Sequence, residues 1–91
     1  MTEQRYRLRI ASPAARALTE TLPEKVAAAA FSFITGPLLD DPHRAGKPLN
    51  PPLAPACSAR RGDYRVLYLI DEEQRIVEVT AIRHRSDAYR S

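Results

Sequence analysis

Hydrophobic and polar residues alternate strictly near the start of the chain. Tyr6, Leu8 and Ile10 stand between Arg5, Arg7 and Arg9, and this period of two predicts a strand with one apolar face and one solvated, cationic face. The period then lengthens. Ser12-Pro13 can open a helix, the serine as cap and the proline in the first turn, and Ala14, Ala15, Leu18 and Leu22 follow at helical spacing. Pro23 breaks that helix and starts a second, expected over residues 24–35. Its apolar positions Ala27, Ala30, Phe31 and Ile34, continued by Leu38, would face a core before Gly36-Pro37 stops it. The alanines at 27–30 suit close packing of this helical hairpin on a sheet.

Between Pro37 and Pro55 the periodicity disappears. Pro37, Pro42, Pro48, Pro51, Pro52 and Pro55 are six of the chain's eight prolines, and the stretch is expected to be an irregular surface loop, long enough to suggest a functional one. His43, Arg44 and Lys47 sit on it. Strand patterning returns after it: Cys57–Arg60, a turn at Arg61-Gly62, a mostly apolar strand Asp63–Ile70, a polar turn at residues 71–74, and a last strand Arg75–Ile82. The expected order is β-α-α-β-β-β, an α+β fold in which a twisted antiparallel sheet carries an N-terminal helical hairpin. Tyr6, Tyr64 and Tyr68 fall on core-facing positions of these strands.

This topology has a consequence for charge. Antiparallel neighbours run in opposite directions, so the start of strand 63–70 lies beside the end of strand 75–82. Arg60, Arg61 and Arg65 at the first place should therefore meet Arg83, His84, Arg85 and Arg90 at the second. The overall charge is only +3, with a pI near 9.4, which is compatible with a nucleic-acid partner without requiring one. Placement carries more information than the total.

The remaining composition sets limits. Ninety-one residues, 44% of them hydrophobic, are expected to form one domain over 1–91. The single Cys57 rules out an internal disulfide or a cysteine metal quartet and reads as a reduced, half-buried small side chain. The N-terminus lacks a secretory signal and no apolar run reaches membrane-spanning length, so a cytoplasmic location and no membrane partner are expected.

Converging arginines suit a polyanion, and they can stabilise the extra charge of a pentacoordinate phosphorus. Histidine exchanges protons near neutral pH. Tyrosine stacks well but, with an ordinary pKa near 10, is a poor base. RNA brings its own nucleophile, the 2′-hydroxyl, so a protein that positions it, removes its proton and stabilises the phosphorane needs no metal. No carboxylate cluster suggests Mg²⁺, and no cofactor is expected. Against this stand structural roles: Arg5, Arg7 and Arg9 as a solvated strand face, and Arg65 as an ion-pair partner of Asp63 or Glu78.

Several segments together resemble the RelE branch of the RelE/ParE toxin superfamily, most closely its actinobacterial members. They are Leu22-Pro23 between two helices, the loop His43-Arg44-Ala45-Gly46-Lys47-Pro48-Leu49, the run Ser58-Ala59-Arg60-Arg61-Gly62-Asp63-Tyr64-Arg65-Val66-Leu67-Tyr68, and the terminal His84-Arg85-Ser86-Asp87-Ala88-Tyr89-Arg90. The resemblance spans Tyr6 to Arg90. It implies the toxin of a type II toxin–antitoxin pair that enters the ribosomal A site, cuts mRNA there through the 2′-hydroxyl, inhibits translation and arrests growth. It implies a RelB-like antitoxin that wraps the toxin and supplies the only, indirect, link to DNA. By the same resemblance Arg65 contacts the scissile phosphate, and the family's terminal arginine and tyrosine correspond to Arg83 or Arg85 and to Tyr89. With the converging clusters, Arg65 and Arg85 are expected to stabilise the phosphorane, His84 and Tyr89 to handle protons or stack on bases, and Lys47, Arg60, Arg61 and Arg83 to hold the RNA backbone. The best-known RelE enzymes carry lysines where this chain has Ala56 and Ser58, which leaves the base to His84 or Lys47. A ParE-like inhibitor of DNA gyrase needs no base and is the alternative, beside a toxin-fold module without nuclease activity.

Overall fold

The computed structural model describes residues 5–84. A five-stranded sheet in the order β1-β5-β4-β3-β2 carries all the helices on one face. Its strands are β1 (Arg7–Ile10), β2 (Lys47–Pro48), β3 (Cys57–Arg61), β4 (Tyr64–Asp71) and β5 (Ile76–His84). The pairs β2–β3, β3–β4 and β4–β5 are antiparallel, giving the meander that the sequence predicts. The first strand adds to the far edge in parallel with β5, Leu8 beside Val77 and Ile10 beside Val79. The wholly antiparallel sheet expected thus gains one parallel pair, because the helical hairpin returns the chain across the sheet before β3 begins.

Helix α1 (Ser12–Arg16) runs into a wider π turn over Ala17–Thr21, closed by Leu22 N–H donating to the Ala17 carbonyl at 3.0 Å. Ala11, not Ser12, is the residue before the first turn, and no side chain caps it. Pro23 opens α2 (Glu24–Thr35) as expected. Its buried positions are Ala30, Phe33 and Ile34. Phe31, expected in the core, is 52% exposed. The stripe of α2 that faces the core is 30/33/34, and position 31 falls outside it.

The proline-rich stretch departs most from expectation. It begins with two helical turns, α3 (Pro37–Asp40) and α4 (Pro42–Ala45), each with a proline at its start and α4 capped by the Asp41 carboxylate accepting from Arg44 N–H. Leu38 and Leu39 are buried in the core. Lys47–Pro48 then forms β2, and only residues 49–56 remain irregular. Even these close on themselves, with Leu49 N–H donating to Ala56 O, Leu53 N–H to Asn50 O and Ala56 N–H to Leu53 O at 2.9–3.0 Å. No described helix is long and apolar enough to cross a membrane.

Two cross-links hold this stretch to the sheet. On β4, the buried Tyr68 hydroxyl donates to the Pro42 carbonyl at 2.6 Å. Burial pushes its pKa up to about 12, with small contributions from neighbouring charges. Gly46 passes so close that a Cβ there would lie 2.5 Å from the Ser58 carbonyl oxygen and 2.6 Å from the Tyr68 hydroxyl. One residue after Pro42 in α4, His43 pairs with Glu72, which also accepts from the Tyr6 hydroxyl at 2.7 Å. Arg75 lies over the Tyr6 ring at 4.0 Å and donates to its hydroxyl.

On β5 the register slips between Leu67/Ala81 and Tyr68/Val79, leaving Thr80 as the extra residue of a bulge. Val77 and Val79 before it, and Ile82 after it, are buried. The bulge thus shifts the phase of the strand by one residue.

Two measurements follow. Gly46→Ala must push α4 and β2 off β3, and urea unfolding should show a loss of about 1–3 kcal/mol. Hydrogen bonds from His43 and Tyr6 hold the Glu72 carboxyl below its ordinary 4.5. The unfolded chain therefore takes up that proton first, so the contribution is complete above about pH 4.5 and fades as pH falls through the lower folded value. Glu72→Gln should lower Tm at neutral pH, and its Tm curve should meet that of the wild type in acid.

Candidate functional site

The tight turn Gly62-Asp63, with Gly62 at a φ of 55°, joins β3 to β4. A glycine at the first position of a two-residue hairpin loop accepts this conformation without strain. The turn lies one residue later than the sequence suggests, and it fixes the register: Arg60 pairs with Arg65, and Arg65 pairs with Arg83. Paired positions in antiparallel strands project to the same face with Cβ atoms about 4.5–5.5 Å apart. Arg60, Arg65 and Arg83 therefore form a row across three strands on the face away from the helices, and all are exposed. None makes a salt bridge with a described carboxylate, so the expected Arg65 partners Asp63 and Glu78 are not used. The predicted convergence of the two clusters is present, and the residue opposite Arg65 is Arg83.

A cleft of about 990 Å³ covers this row. Its floor is Ser58, Arg60, Arg65, Leu67, Ala81 and Arg83, its wall is Leu49, Leu53 and Ala56 from the proline loop, and His84 and Asp63 border one end. A second cleft of about 580 Å³ lies over the β2 edge, lined by Arg44, Lys47, Pro48, Arg60 and Arg61 among others. Leu49, Ser58, Arg60 and Arg65 line both, so the two clefts meet at Arg65.

The other expected residues fall unevenly around this centre. Lys47 pairs with Ser58 in the β2–β3 register, one strand over from a position where a lysine is expected and absent. No periodicity in two residues could have announced that pairing. His84 lies inside β5, not in a tail, and pairs with Tyr64. Strand alternation therefore gives it the face opposite to Arg83, at the end of the cleft. Arg61 leaves the row: its guanidinium lies 4.5 Å from the centre of the Phe33 ring and donates to the Arg60 carbonyl. It still borders the second cleft. Arg85, Tyr89 and Arg90 lie outside the described residues. Arg5, expected on the solvated strand face, instead bridges Asp40 at 2.8 Å and the Thr35 carbonyl at 2.7 Å.

Tyr6, Tyr64 and Tyr68 are structural. Tyr64 donates to the Ala29 carbonyl at 3.3 Å, and burial raises its pKa, as it does that of Tyr68. Cys57 is free and half-buried, and burial pushes its thiol up as well. All three stay protonated at neutral pH, so none is a base or nucleophile there.

Comparison with known proteins agrees with this architecture. The family model described as the ParE toxin of type II toxin–antitoxin systems, parDE, matches residues 4–89. The chain belongs to the RelE/ParE superfamily and is a toxin of a type II toxin–antitoxin system. Within that class it is 53% identical over 85 residues to Toxin RelE of Mycobacterium tuberculosis, covering 93% of this chain and 87% of that protein. It is 45% identical to Toxin RelG of the same organism, covering 93% and 97%. The toxin–antitoxin complex RelBE2 of M. tuberculosis contains a chain that superposes with a TM-score of 0.85 at 43% identity, covering 89% of this chain and 99% of that one. Isolated Escherichia coli RelE shares the fold, with a TM-score of 0.69 at 20% identity over 87% and 83% of the two chains.

Like charges directly opposite one another on neighbouring strands destabilise a sheet. Arg65→Thr should therefore raise stability by roughly 0.2–1 kcal/mol, read as an increase in the urea midpoint. Sulfate or heparin should raise the Tm of the wild-type chain more than that of the variant.

Proposed function

We propose that this toxin is a ribosome-dependent mRNA endonuclease that cleaves by metal-free attack of the 2′-hydroxyl. The cross-strand row Arg60–Arg65–Arg83 is the observation that carries the reading. It offers adjacent guanidinium groups, without carboxylate partners among the described residues, on an open cleft. Such a row neutralises a phosphodiester and stabilises the added negative charge of a phosphorane.

The reaction needs little else. The 2′-oxygen forms a bond to phosphorus, the bond to the 5′-oxygen breaks, and a 2′,3′-cyclic phosphate and a 5′-hydroxyl result. One group removes the 2′-proton and another supplies a proton to the departing 5′-oxygen, on opposite sides of the phosphorus. Lys47 and His84 suit this division, since they border the two clefts that meet at Arg65. An imidazole nitrogen is the better proton acceptor; an ammonium is the better donor and charge partner for the leaving oxygen. Arg60 and Arg83 hold the backbone with Arg65, and Arg61 and Lys47 extend the cationic surface around the β2 edge. Arg85 and Tyr89 complete the catalytic set proposed from the family resemblance.

The partners proposed are mRNA in the ribosomal A site and a RelB-like antitoxin, the latter supported by the RelBE2 complex of the M. tuberculosis relative. A cytoplasmic location is proposed with them. A second reading, a ParE-like toxin acting on DNA gyrase, draws on the family description and on the small residues Ala56 and Ser58.

Brief induction of the chain should arrest growth and yield mRNA ends within A-site codons when RNA ends are mapped. Arg65→Ala should reduce cutting by about two orders of magnitude or more, the usual loss on removing an oxyanion-stabilising donor. Growth arrest with intact mRNA and gyrase-cleaved DNA would instead establish the second reading.

A further inference from the structure

The structure points to a nucleobase subsite beside the arginine row, a feature that the assignment of phosphate-binding residues does not include. It rests on the reading of that row as an RNA site. Leu53 is 62% exposed, yet it does not hang from a loose segment. Its loop is closed by backbone hydrogen bonds between Asn50 and Leu53 and between Leu53 and Ala56, and Pro51, Pro52 and Pro55 restrict the chain on either side. An ordered, exposed leucine has already lost much of the freedom that binding would remove.

Its place is as informative as its order. Leu53 and the half-buried Leu49 form one wall of the cleft whose floor carries Arg60, Arg65 and Arg83. Ala56 in the wall and Ser58 in the floor line the same cleft with short side chains that take up little of it. The cleft is thus cationic on one side and apolar on the other. A nucleotide has the same division: an anionic phosphate, and a flat base whose faces are apolar. Charge complementarity seats the phosphate on the arginines and brings the attached base against Leu53.

We propose that Leu49 and Leu53 receive one base of a single-stranded RNA whose phosphate lies on Arg65. Apolar side chains contact the face of a base and cannot read its edge. The subsite should therefore select by size, holding a purine better than a pyrimidine.

Uncleavable 2′-O-methyl RNA, and a strand of equal length and charge that lacks bases, separate this proposal from the reading it rests on. Fluorescence anisotropy with the wild-type chain should show about fivefold tighter binding to the base-bearing strand, the advantage of covering part of a leucine. Leu53→Ser should remove that preference and leave the abasic strand's affinity unchanged. Leu53→Phe should increase the preference, and Arg65→Ala should weaken both strands. If the wild-type chain binds both strands equally, or Leu53→Ser keeps the preference or weakens both strands alike, the subsite does not exist although the RNA reading stands. If the wild-type chain binds neither strand, the RNA reading fails and the subsite with it. A Leu53→Ser variant that keeps the preference but no longer binds a co-expressed RelB-type antitoxin would assign the leucine to the protein partner and overturn the proposal.

Discussion

The buried hydrogen bond from Tyr68 to the Pro42 carbonyl ties the proline-rich stretch to the middle of the sheet. One partner is the central strand of the sheet, rigid and apolar on its inner face. The other is the proline-rich stretch, built of two single helical turns, a two-residue strand and an irregular loop. A phenol hydroxyl in the core must find an acceptor, and here the acceptor is a backbone carbonyl at the start of α4. Gly46 makes the contact possible by letting the chain pass against Ser58 and the Tyr68 hydroxyl without a side chain between. From there the chain can only run along β3, which sets Lys47 opposite Ser58 and carries residues 49–56 over the arginine row. The site's roof is therefore positioned by the core.

The arginine row shows how stability and recognition are divided. Adjacent guanidinium groups on a sheet cost stability, and an apolar or mixed-charge row would fold better. The inner face of the same strands is packed with Tyr64, Val66, Tyr68, Val79 and Ile82, which tolerates that cost. Repulsion left unrelieved in the folded chain becomes attraction when a polyanion arrives. The far half of the open face differs: Arg9 lies beside Glu78 in the β1–β5 register, and no comparable concentration of one charge develops there.

Much of this was legible in the chain itself. Alternation identified β1, a mostly apolar run identified β4, proline and glycine marked the helix boundaries, and the meander alone brought Arg65 and Arg83 together. The failures have a common physical origin. Position 31 was assigned to the core from spacing, but the angle at which a helix lies on a sheet is a tertiary property. Residues 37–48 looked irregular because helical turns of four residues and a strand of two leave no period to detect. The His43–Glu72–Tyr6–Arg75 cluster joins residues up to 69 positions apart, and nothing local ties them. The place of His84 depended on counting along β5, and the count is broken by a bulge with no sequence signature.

That bulge gives the site its handedness of charge. Before Thr80, odd-numbered residues of β5 point to the core; after it, even-numbered ones do. If the same residues ran on from Val79 without the bulge, Ile82 would stand opposite Arg65 and Arg83 would be turned under the helices. The length of β5, counted to a single residue, is therefore part of the recognition chemistry. By absorbing one residue, the bulge lets the buried side of β5 and its exposed arginine each be set in phase.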